Sequence, residues 1–145
     1  MGDLAKEINS TFPDNDLKAY INILFTASWI NSKQIIFFKP FNISPQQYNI
    51  LRILKGAKKA ISVQTVKNRM VQRSPNVTRL MDKLCAKSLI ERTTCTHDRR
   101  VVNILITEKG LSLIREIDKN FEGKLLANLS EAEAKQLSDL LDKIR

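Results

Sequence analysis

Cationic side chains are the residues of this 145-residue chain best suited to binding chemistry, and they are concentrated in its middle. The segment 44–107 contains thirteen Lys or Arg and three acidic residues, whereas the segments on either side are close to neutral. This segment accounts for the whole net charge of +9. A local excess of positive charge favours a polyanionic partner, so the sequence predicts a nucleic-acid-binding middle between two neutral ends.

Thiol, metal and enzyme chemistry are less well supported by the residue types. Cys85 falls at the edge of a predicted helix, where a small apolar residue packs well. Cys95 and His97 share a predicted loop with basic neighbours that can activate a thiol, so a thiol or metal sensor stays open as an alternative. Paired carboxylates in an apolar pocket, a Ser-His-Asp set and a glycine-rich phosphate loop are all missing from the pattern. We therefore expect no enzymatic activity, no cofactor and no metal.

The strongest binding motif is a helix that opens at Ser74-Pro75. Serine can cap the first amides and proline is tolerated in the first turn, and the apolar spacing predicts a helix of about fourteen residues. Its two faces differ in chemistry. The predicted buried face contains Val77, Leu80, Met81 and Leu84. The opposite face contains Asn76, Arg79, Lys83 and Lys87.

Two shorter helices precede this one. The first opens at Ser44-Pro45, buries Tyr48, Leu51 and Leu54, and is expected to end at Gly56. The second follows Ser62 and is expected to end near Val71. A short helix, a tight turn and a helix that presents amide and cationic side chains predict a helix-turn-helix, whose second helix fits the major groove of DNA.

A β-hairpin is predicted after this helix. The segments 89–94 and 101–106 are rich in β-branched and aliphatic residues and flank a polar, basic tip. We expect Asp98 to form an ion pair with Arg100 and so to order the tip. Arg99 and Arg100 would then reach backbone phosphates or the minor groove, which is the role of a wing.

The neutral ends are predicted to be helical. A first helix runs from Asp16 to Phe38, just before Pro40, and Thr107 caps a helix that is expected to continue to Leu125. A capping box at Ser130 starts the last helix. These helices carry more apolar surface than one small domain can cover, which predicts a homodimer. The expected dimer residues are Leu17, Ile21, Phe121, Leu137, Leu140, Leu141 and Ile144.

The order helix, helix, short strand, helix, recognition helix, strand, wing, strand, helix, helix resembles the multiple-antibiotic-resistance regulator (MarR) family over nearly the whole chain. Two motifs carry the resemblance. One is Val77-Thr78-Arg79 followed by Leu89-Ile90-Glu91-Arg92, and the other is Asp98-Arg99-Arg100 followed by Ile106-Thr107 and Gly110. Ser88 stands where the family usually has glycine, so we expect the recognition helix to end differently from the family's left-handed cap.

The fold expected is mainly α (α+β), a winged helix-turn-helix with N- and C-terminal dimerisation helices. Residues 1–43 and 108–145 would form the dimer region and residues 44–107 the DNA-binding module, all in one continuous unit. The expected DNA contacts are Ser74, Asn76, Thr78, Arg79 and Lys83 from the recognition helix, Asp98, Arg99 and Arg100 from the wing, and Ser62, Lys67 and Arg73 on phosphates. The aromatic cluster, together with the resemblance, places a ligand pocket at Phe25, Trp29, Phe38 and Tyr48.

The lack of a secretory signal and of a membrane-spanning segment predicts a cytoplasmic protein. The resemblance implies a homodimeric transcription regulator, a repressor, that binds an inverted repeat in double-stranded DNA. It also implies release by a small lipophilic or aromatic effector. The alternative from the residues is a sequence-independent DNA-coating protein, which would carry the same charge. The longest strongly apolar run, 35–38, is too short to span a membrane, so no membrane association is expected.

Overall fold

The computed structural model describes residues 2–72, 75–121 and 126–145. Within these residues the chain is mostly helical, with a small three-stranded antiparallel sheet. The helices are α1 (Leu4–Glu7), α2 (Asn15–Phe38), α3 (Pro45–Ala57), α4 (Val63–Arg69), α5 (Val77–Ala86), α6 (Glu108–Asn120) and α7 (Glu131–Ile144), with a 3₁₀ turn at Lys39–Phe41. The strands are β1 (Ile61–Ser62), β2 (Ile90–Thr94) and β3 (Val102–Ile106).

The long helix α2 has the predicted length. The Asp14 carboxylate accepts a hydrogen bond from the Leu17 N–H at 2.8 Å and starts the helix, which ends at Phe38 before Pro40 as expected. Phe38 is its one buried residue. The short α1 was not predicted, since its single turn is too brief to show a periodic pattern.

Helix α3 begins as predicted and ends one residue later than expected. The Ser44 hydroxyl accepts from the Gln47 N–H at 3.1 Å, and the Gln47 side chain accepts from the Ser44 N–H at 3.0 Å. The prediction that Gly56 ends this helix is wrong. Gly56 is helical, and Lys58 takes the left-handed position that glycine usually fills, at φ 54°.

The recognition helix α5 is shorter than predicted. It begins at Val77 and has ten residues, because Asn76 lies outside the helical region at φ −98° and ψ 20° and occupies the N-cap position. Ser74, the predicted cap, lies outside the described residues. Helix α4 likewise ends at Arg69 and not near Val71, because Met70 is extended at ψ 134°.

The end of α5 contradicts the expectation for Ser88. Ser88 adopts a left-handed conformation at φ 58°, so this serine forms the same kind of cap as the glycine that it replaces. The Leu89 N–H returns to the Leu84 carbonyl at 3.0 Å, and the Ser88 carbonyl accepts from the Thr107 hydroxyl at 2.7 Å. These contacts offset the cost of a left-handed serine and fix where the hairpin starts.

The sheet has the order β1-β3-β2 and forms the predicted wing. Ile104 lies at its centre, opposite Ile61 on one side and Arg92 on the other, and is fully buried. The hairpin continues outward as far as the Thr94–Val102 pair. Along β3, Ile104 is buried and residues 105 and 106 are half-buried, whereas Val102 is exposed, so the base of the wing is covered and its outer end faces solvent.

Helix α6 starts as predicted, since the Thr107 hydroxyl accepts from the Gly110 N–H at 3.1 Å. It ends at Asn120 and does not continue to Leu125, which lies outside the described residues. The predicted capping box of α7 is present, with the Ser130 N–H donating to the Glu133 carboxylate at 2.8 Å. Among the described residues, no helix is long and apolar enough to cross a lipid bilayer.

The main core joins the first helix, the middle and the end of the chain. Its fully buried members include Leu51 and Leu54 of α3, Met81 of α5, and Ile114 of α6, and Phe38 of α2 packs with them. These residues hold the winged module, the C-terminal end of α2 and the middle of α6 together.

Candidate nucleic-acid interface

Helix α5 separates an apolar face from a polar face, as its sequence predicts. Val77, Met81 and Leu84 are buried in the core, and Leu80 is half-buried. The polar side chains Asn76, Thr78, Arg79 and Lys83 are all exposed. A helix held in this way can offer amide, hydroxyl and cationic groups to base edges and phosphates.

Two side chains of α3 hold the turn that leads into the recognition helix. The Asn49 carboxamide oxygen accepts from the Val71 N–H at 3.0 Å. The Gln46 amide donates to the Gln72 side-chain oxygen at 2.9 Å. The sequence analysis missed these contacts, since outward amides on a helix give no local signal of a partner more than twenty residues away. The predicted contact residues Arg73 and Ser74 lie just beyond, outside the described residues.

An ion pair connects the recognition helix to the wing. Asp82 of α5 pairs with the guanidinium of Arg92 in β2, and both side chains are about half exposed. The sequence analysis did not predict this pair, although Arg92 belongs to one of the two quoted motifs. The pair is one contact between the helix and the hairpin, and at this degree of exposure it contributes little to stability.

The wing tip is ordered by its main chain. The expected ion pair between Asp98 and Arg100 is not what the structure shows, because the Asp98 carboxylate accepts from the Arg100 main-chain N–H at 2.9 Å. The Val101 N–H returns to the Asp98 carbonyl at 3.0 Å and closes a turn. Aspartate suits this position because its short side chain reaches a backbone amide two residues on. Arg99 and Arg100 are exposed at the tip.

Ser62 and Lys67, the phosphate contacts predicted at the start of α4 and within it, are less exposed than the polar side chains of the recognition helix. Ser62 caps α4, accepting from the Thr65 N–H at 3.1 Å and sharing a hydrogen bond with its hydroxyl at 2.9 Å. Lys67 is half-buried on the same short helix. The Ser62 hydroxyl therefore already has an internal role.

The four residues of the expected ligand pocket line two separate cavities. Phe38 and Tyr48 stack at 4.6 Å between ring centroids and line a cavity of about 210 Å³ together with Met70, Val71 and Gln72. Phe25 and Trp29 line a second cavity, of about 330 Å³, beside α1. The sequence interpretation grouped the aromatic residues of one long helix with Tyr48, but α2 carries Phe25 and Trp29 to different surroundings from Phe38.

Asp118 near the end of α6 contacts three side chains of α3. It accepts from the Tyr48 hydroxyl at 3.3 Å and pairs with Arg52 at 3.4 Å and Lys55 at 3.3 Å. Burial raises the pKa of Tyr48 above its ordinary value, and Arg52 lowers it while Asp118 raises it. The sequence analysis did not identify Asp118.

The expected dimer residues leave apolar surface exposed in the single chain. Leu137, Leu140 and Ile144 of α7 are 40%, 53% and 68% exposed, and α7 buries no residue. Leu17 of α2 is also exposed, whereas Ile21 and Leu141 are half-buried. Phe121 follows α6 and packs edge-on against Phe37, with 5.0 Å between ring centroids.

The cysteines show no arrangement for metal binding. Cys85 is half-buried against the core, as predicted, and the Cys95 N–H donates to the Val101 carbonyl at 3.1 Å in the wing. Across 2–72, 75–121 and 126–145, no group of three or more His, Cys, Asp or Glu side chains could hold a metal ion.

Comparisons with known proteins agree with this arrangement. A sequence model described as "MarR family" matches residues 41–101. The HTH-type transcriptional regulator PecS of Dickeya dadantii is 27% identical over 99% of this chain and 92% of its own length. The solved structure of AbsC, a MarR family transcriptional regulator from Streptomyces coelicolor, has a TM-score of 0.80 at 18% identity, covering 92% of this chain and 94% of AbsC. A mutant MarR from E. coli, complexed with operator DNA, has a TM-score of 0.73 at 23% identity, covering 99% of both chains.

Proposed function

We propose that this chain, which a MarR family model matches over residues 41–101, is a MarR-type DNA-binding transcription regulator that acts as a homodimer on an inverted-repeat operator in double-stranded DNA. The observation that carries the proposal is the division of α5 into two faces. Three apolar side chains anchor it in the core, while Thr78, Arg79 and Lys83 stand in solvent beside the wing. This is the geometry that a recognition helix needs in order to enter a major groove.

Each exposed group has a distinct proposed role. Arg79 and Asn76 would contact base edges, where arginine pairs with guanine and asparagine with adenine. Thr78 and Lys83, with Arg99 and Arg100 of the wing, would contact phosphates and the minor groove. Ser62, Lys67 and Arg73 remain proposed phosphate contacts, and Ser74 remains a proposed contact of the recognition-helix region. For Ser62 this would require the hydroxyl to bind DNA as well as cap α4.

The dimer is proposed from the apolar faces of the end helices. Large side chains left in solvent on α2 and α7 would be covered by the same faces of a second copy. A two-fold axis would set the two recognition helices about 34 Å apart, one turn of duplex. We propose that the bound dimer represses transcription by blocking access to the promoter.

A small-molecule effector is proposed at the cavity beside Phe38 and Tyr48. Met70, Val71 and Gln72 form part of its wall and lie in the segment between α4 and the recognition helix. A lipophilic or aromatic acid bound there would act if it favoured a conformer in which the recognition helices no longer match the operator. Calorimetric titration with phenolic acids tests this, and an operator affinity that no such acid changes would end the effector proposal.

Selection of bound sequences from random duplexes tests the main proposal. We expect an inverted repeat whose half-sites lie about one helical turn apart, with an affinity at least about 10³ times that for random DNA. Uniform recovery of all sequences would instead favour the DNA-coating protein.

A further inference from the structure

Asp118 is placed to control more than local packing, because it binds one face of α3. Tyr48, Arg52 and Lys55 follow one another at intervals of four and three residues, so their side chains lie on the same side of the helix. All three direct a donor to the Asp118 carboxylate, at 3.3 to 3.4 Å. One carboxylate thus holds about two turns of α3.

The C-terminal end of α6, where Asp118 lies, also contacts α2. Phe121, three residues after Asp118, packs edge-on against Phe37 of α2, with 5.0 Å between ring centroids. Asp118 and Phe121 therefore connect α6 to α3 and to α2 at nearly the same level. This is the point where the winged module meets the helices proposed to form the dimer.

Helix α3 continues the connection to the recognition helix. Asn49, one residue after Tyr48, holds the Val71 N–H, and Gln46 holds Gln72. Both contacts fix the turn that leads into α5. A change in how α3 lies on α6 would therefore move the start of the recognition helix.

The energetics suit a positioning role. Asp118, Arg52 and Lys55 are each about two-fifths exposed or more, and exposed ion pairs contribute little to stability. The adjacent Ile114 and Ile117, both fully buried, supply the hydrophobic contact of α6 with the core. Removing the Asp118 charge should therefore leave the fold intact while loosening the angle between α3 and α6.

We propose that Asp118 is a positioning residue that sets the separation of the two recognition helices by bracing α3 against the end of α6. The proposal rests on the proposed function, because this separation has meaning only for a dimer on an inverted repeat. Its signature is the preference for one half-site spacing over another, a quantity that a general loss of stability would not change.

The test compares affinities for the selected operator and for duplexes whose half-sites are moved by one base pair in either direction. We expect the wild-type protein to prefer the selected spacing and Asp118→Asn to reduce that preference about fivefold, which corresponds to about 1 kcal/mol. Asp118→Asn also makes the protein more positive, which favours DNA binding in general. The added positive charge should raise the affinity for all the duplexes by a similar factor and leave their ratio unchanged. A reduced spacing preference therefore cannot come from the change in net charge.

Glu116→Gln is the matched control, since it removes the same charge from an exposed position two residues away on α6. We expect it to keep the wild-type spacing preference. An Asp118→Asn protein with the wild-type preference overturns the inference. If Asp118→Asn does not fold, Tyr48→Phe is tested in its place. This variant removes the hydrogen bond of the Tyr48 hydroxyl to Asp118 and keeps the aromatic ring against Phe38. An unchanged spacing preference in Tyr48→Phe then overturns the inference.

The wild-type protein separates this inference from the proposed function. If it shows no spacing preference and no inverted repeat, the proposed function fails and the inference fails with it. If it shows both and the variants match it, only the inference fails.

Discussion

Arg79 and Arg100 both present a guanidinium group to solvent, but they stand on elements that meet different parts of a duplex. Arg79 projects from the first turn of a helix whose opposite face is buried. Arg100 lies at the tip of a hairpin whose turn is held by main-chain contacts. Replacing each of these residues by alanine should therefore change DNA binding in a different way.

Arg79→Ala should relax base preference. An arginine that binds a base edge contributes about 1–3 kcal/mol of discrimination, so the affinity ratio of operator to random duplex should fall by the corresponding factor. Fluorescence anisotropy with both duplexes measures this ratio. Lys143→Ala, which removes one charge from the distant α7, should leave the ratio unchanged. An equal loss on both duplexes would argue against base contact by Arg79.

Arg100→Ala should weaken binding to all sequences by a similar factor. Asp98 holds the main-chain N–H of residue 100, so the turn survives loss of the side chain. Removing one phosphate contact should lower the slope of log affinity against log salt by about one. Affinities measured over a series of salt concentrations give this slope, and a slope equal to that of the wild type would exclude a phosphate contact.

The Tyr48 hydroxyl should make stability sensitive to high pH. Burial raises the pKa of Tyr48 above 10.0, so the unfolded chain loses this proton first as the pH rises. The contribution is complete below about pH 10 and is lost as the pH rises through the higher folded-state pKa. Urea unfolding at increasing pH should show a smaller alkaline decline for Tyr48→Phe than for the wild type, and identical declines would contradict the assignment.

At the scale of the elements, helix starts were predicted better than helix ends. Ser44, Ser62, Thr107 and Ser130 each accept a hydrogen bond from an amide three residues on, as the local sequence indicates. An N-cap is a contact between near neighbours, so its residues reveal it. The ends at Gly56 and Leu125 were wrong because distant packing and main-chain conformation decide where a helix stops.

Ser88→Gly should stabilise the junction between α5 and the wing. Ser88 carries a Cβ at φ 58°, where glycine has no steric cost, and we expect a gain of about 0.5 kcal/mol after the greater freedom of the unfolded chain is included. Urea unfolding gives the free energy of unfolding. Gly56→Ala is a useful comparison, since a Cβ there meets nothing within 4 Å and should also stabilise. A less stable Ser88→Gly protein would mean that the serine hydroxyl has a role of its own.

Gly110 lies where α6 approaches the two ends of the hairpin closely. A Cβ at this position would lie 2.3 Å from the Leu89 carbonyl oxygen and 2.7 Å from Ile106. The glycine of the quoted motif is therefore required by the contact between α6 and the start of the wing. The motif was visible in the sequence, but the reason for it is a contact across about twenty residues.

At the scale of the whole molecule, one chain leaves a continuous apolar seam on α7 in solvent. Leu137, Leu140 and Ile144 lie on the same face, are 40% to 68% exposed and are not part of the core of their own chain. Burial of large apolar side chains supplies most of the free energy of association. The seam is therefore the clearest site at which to test the proposed dimer.

Leu140→Glu should shift the protein toward the monomer and weaken operator binding, because a charge would be buried at the centre of the proposed interface. Sedimentation velocity measures the shift in oligomeric state. Ser138→Glu adds the same charge to an exposed neighbouring face of α7 and should leave the dimer intact. A Leu140→Glu protein that stays dimeric would place the interface elsewhere.

Features that depend on neighbours along the chain could be predicted from the order of the amino acids. The charge of the middle segment, the N-caps, the two faces of α5 and the hairpin all follow from spacings of a few residues. The fold class follows from their order. None of these features requires knowing which elements meet in space.

The contacts that hold the elements against one another became visible in the folded chain alone. Tyr48 and Asp118 are seventy positions apart, and Asn49 and Val71 are twenty-two apart. Neither pair carries a local signal, and the aromatic residues of α2 were separated for the same reason. A polar side chain gains a partner only when the packed core brings two elements together, so the brace and the two cavities exist only in the folded chain.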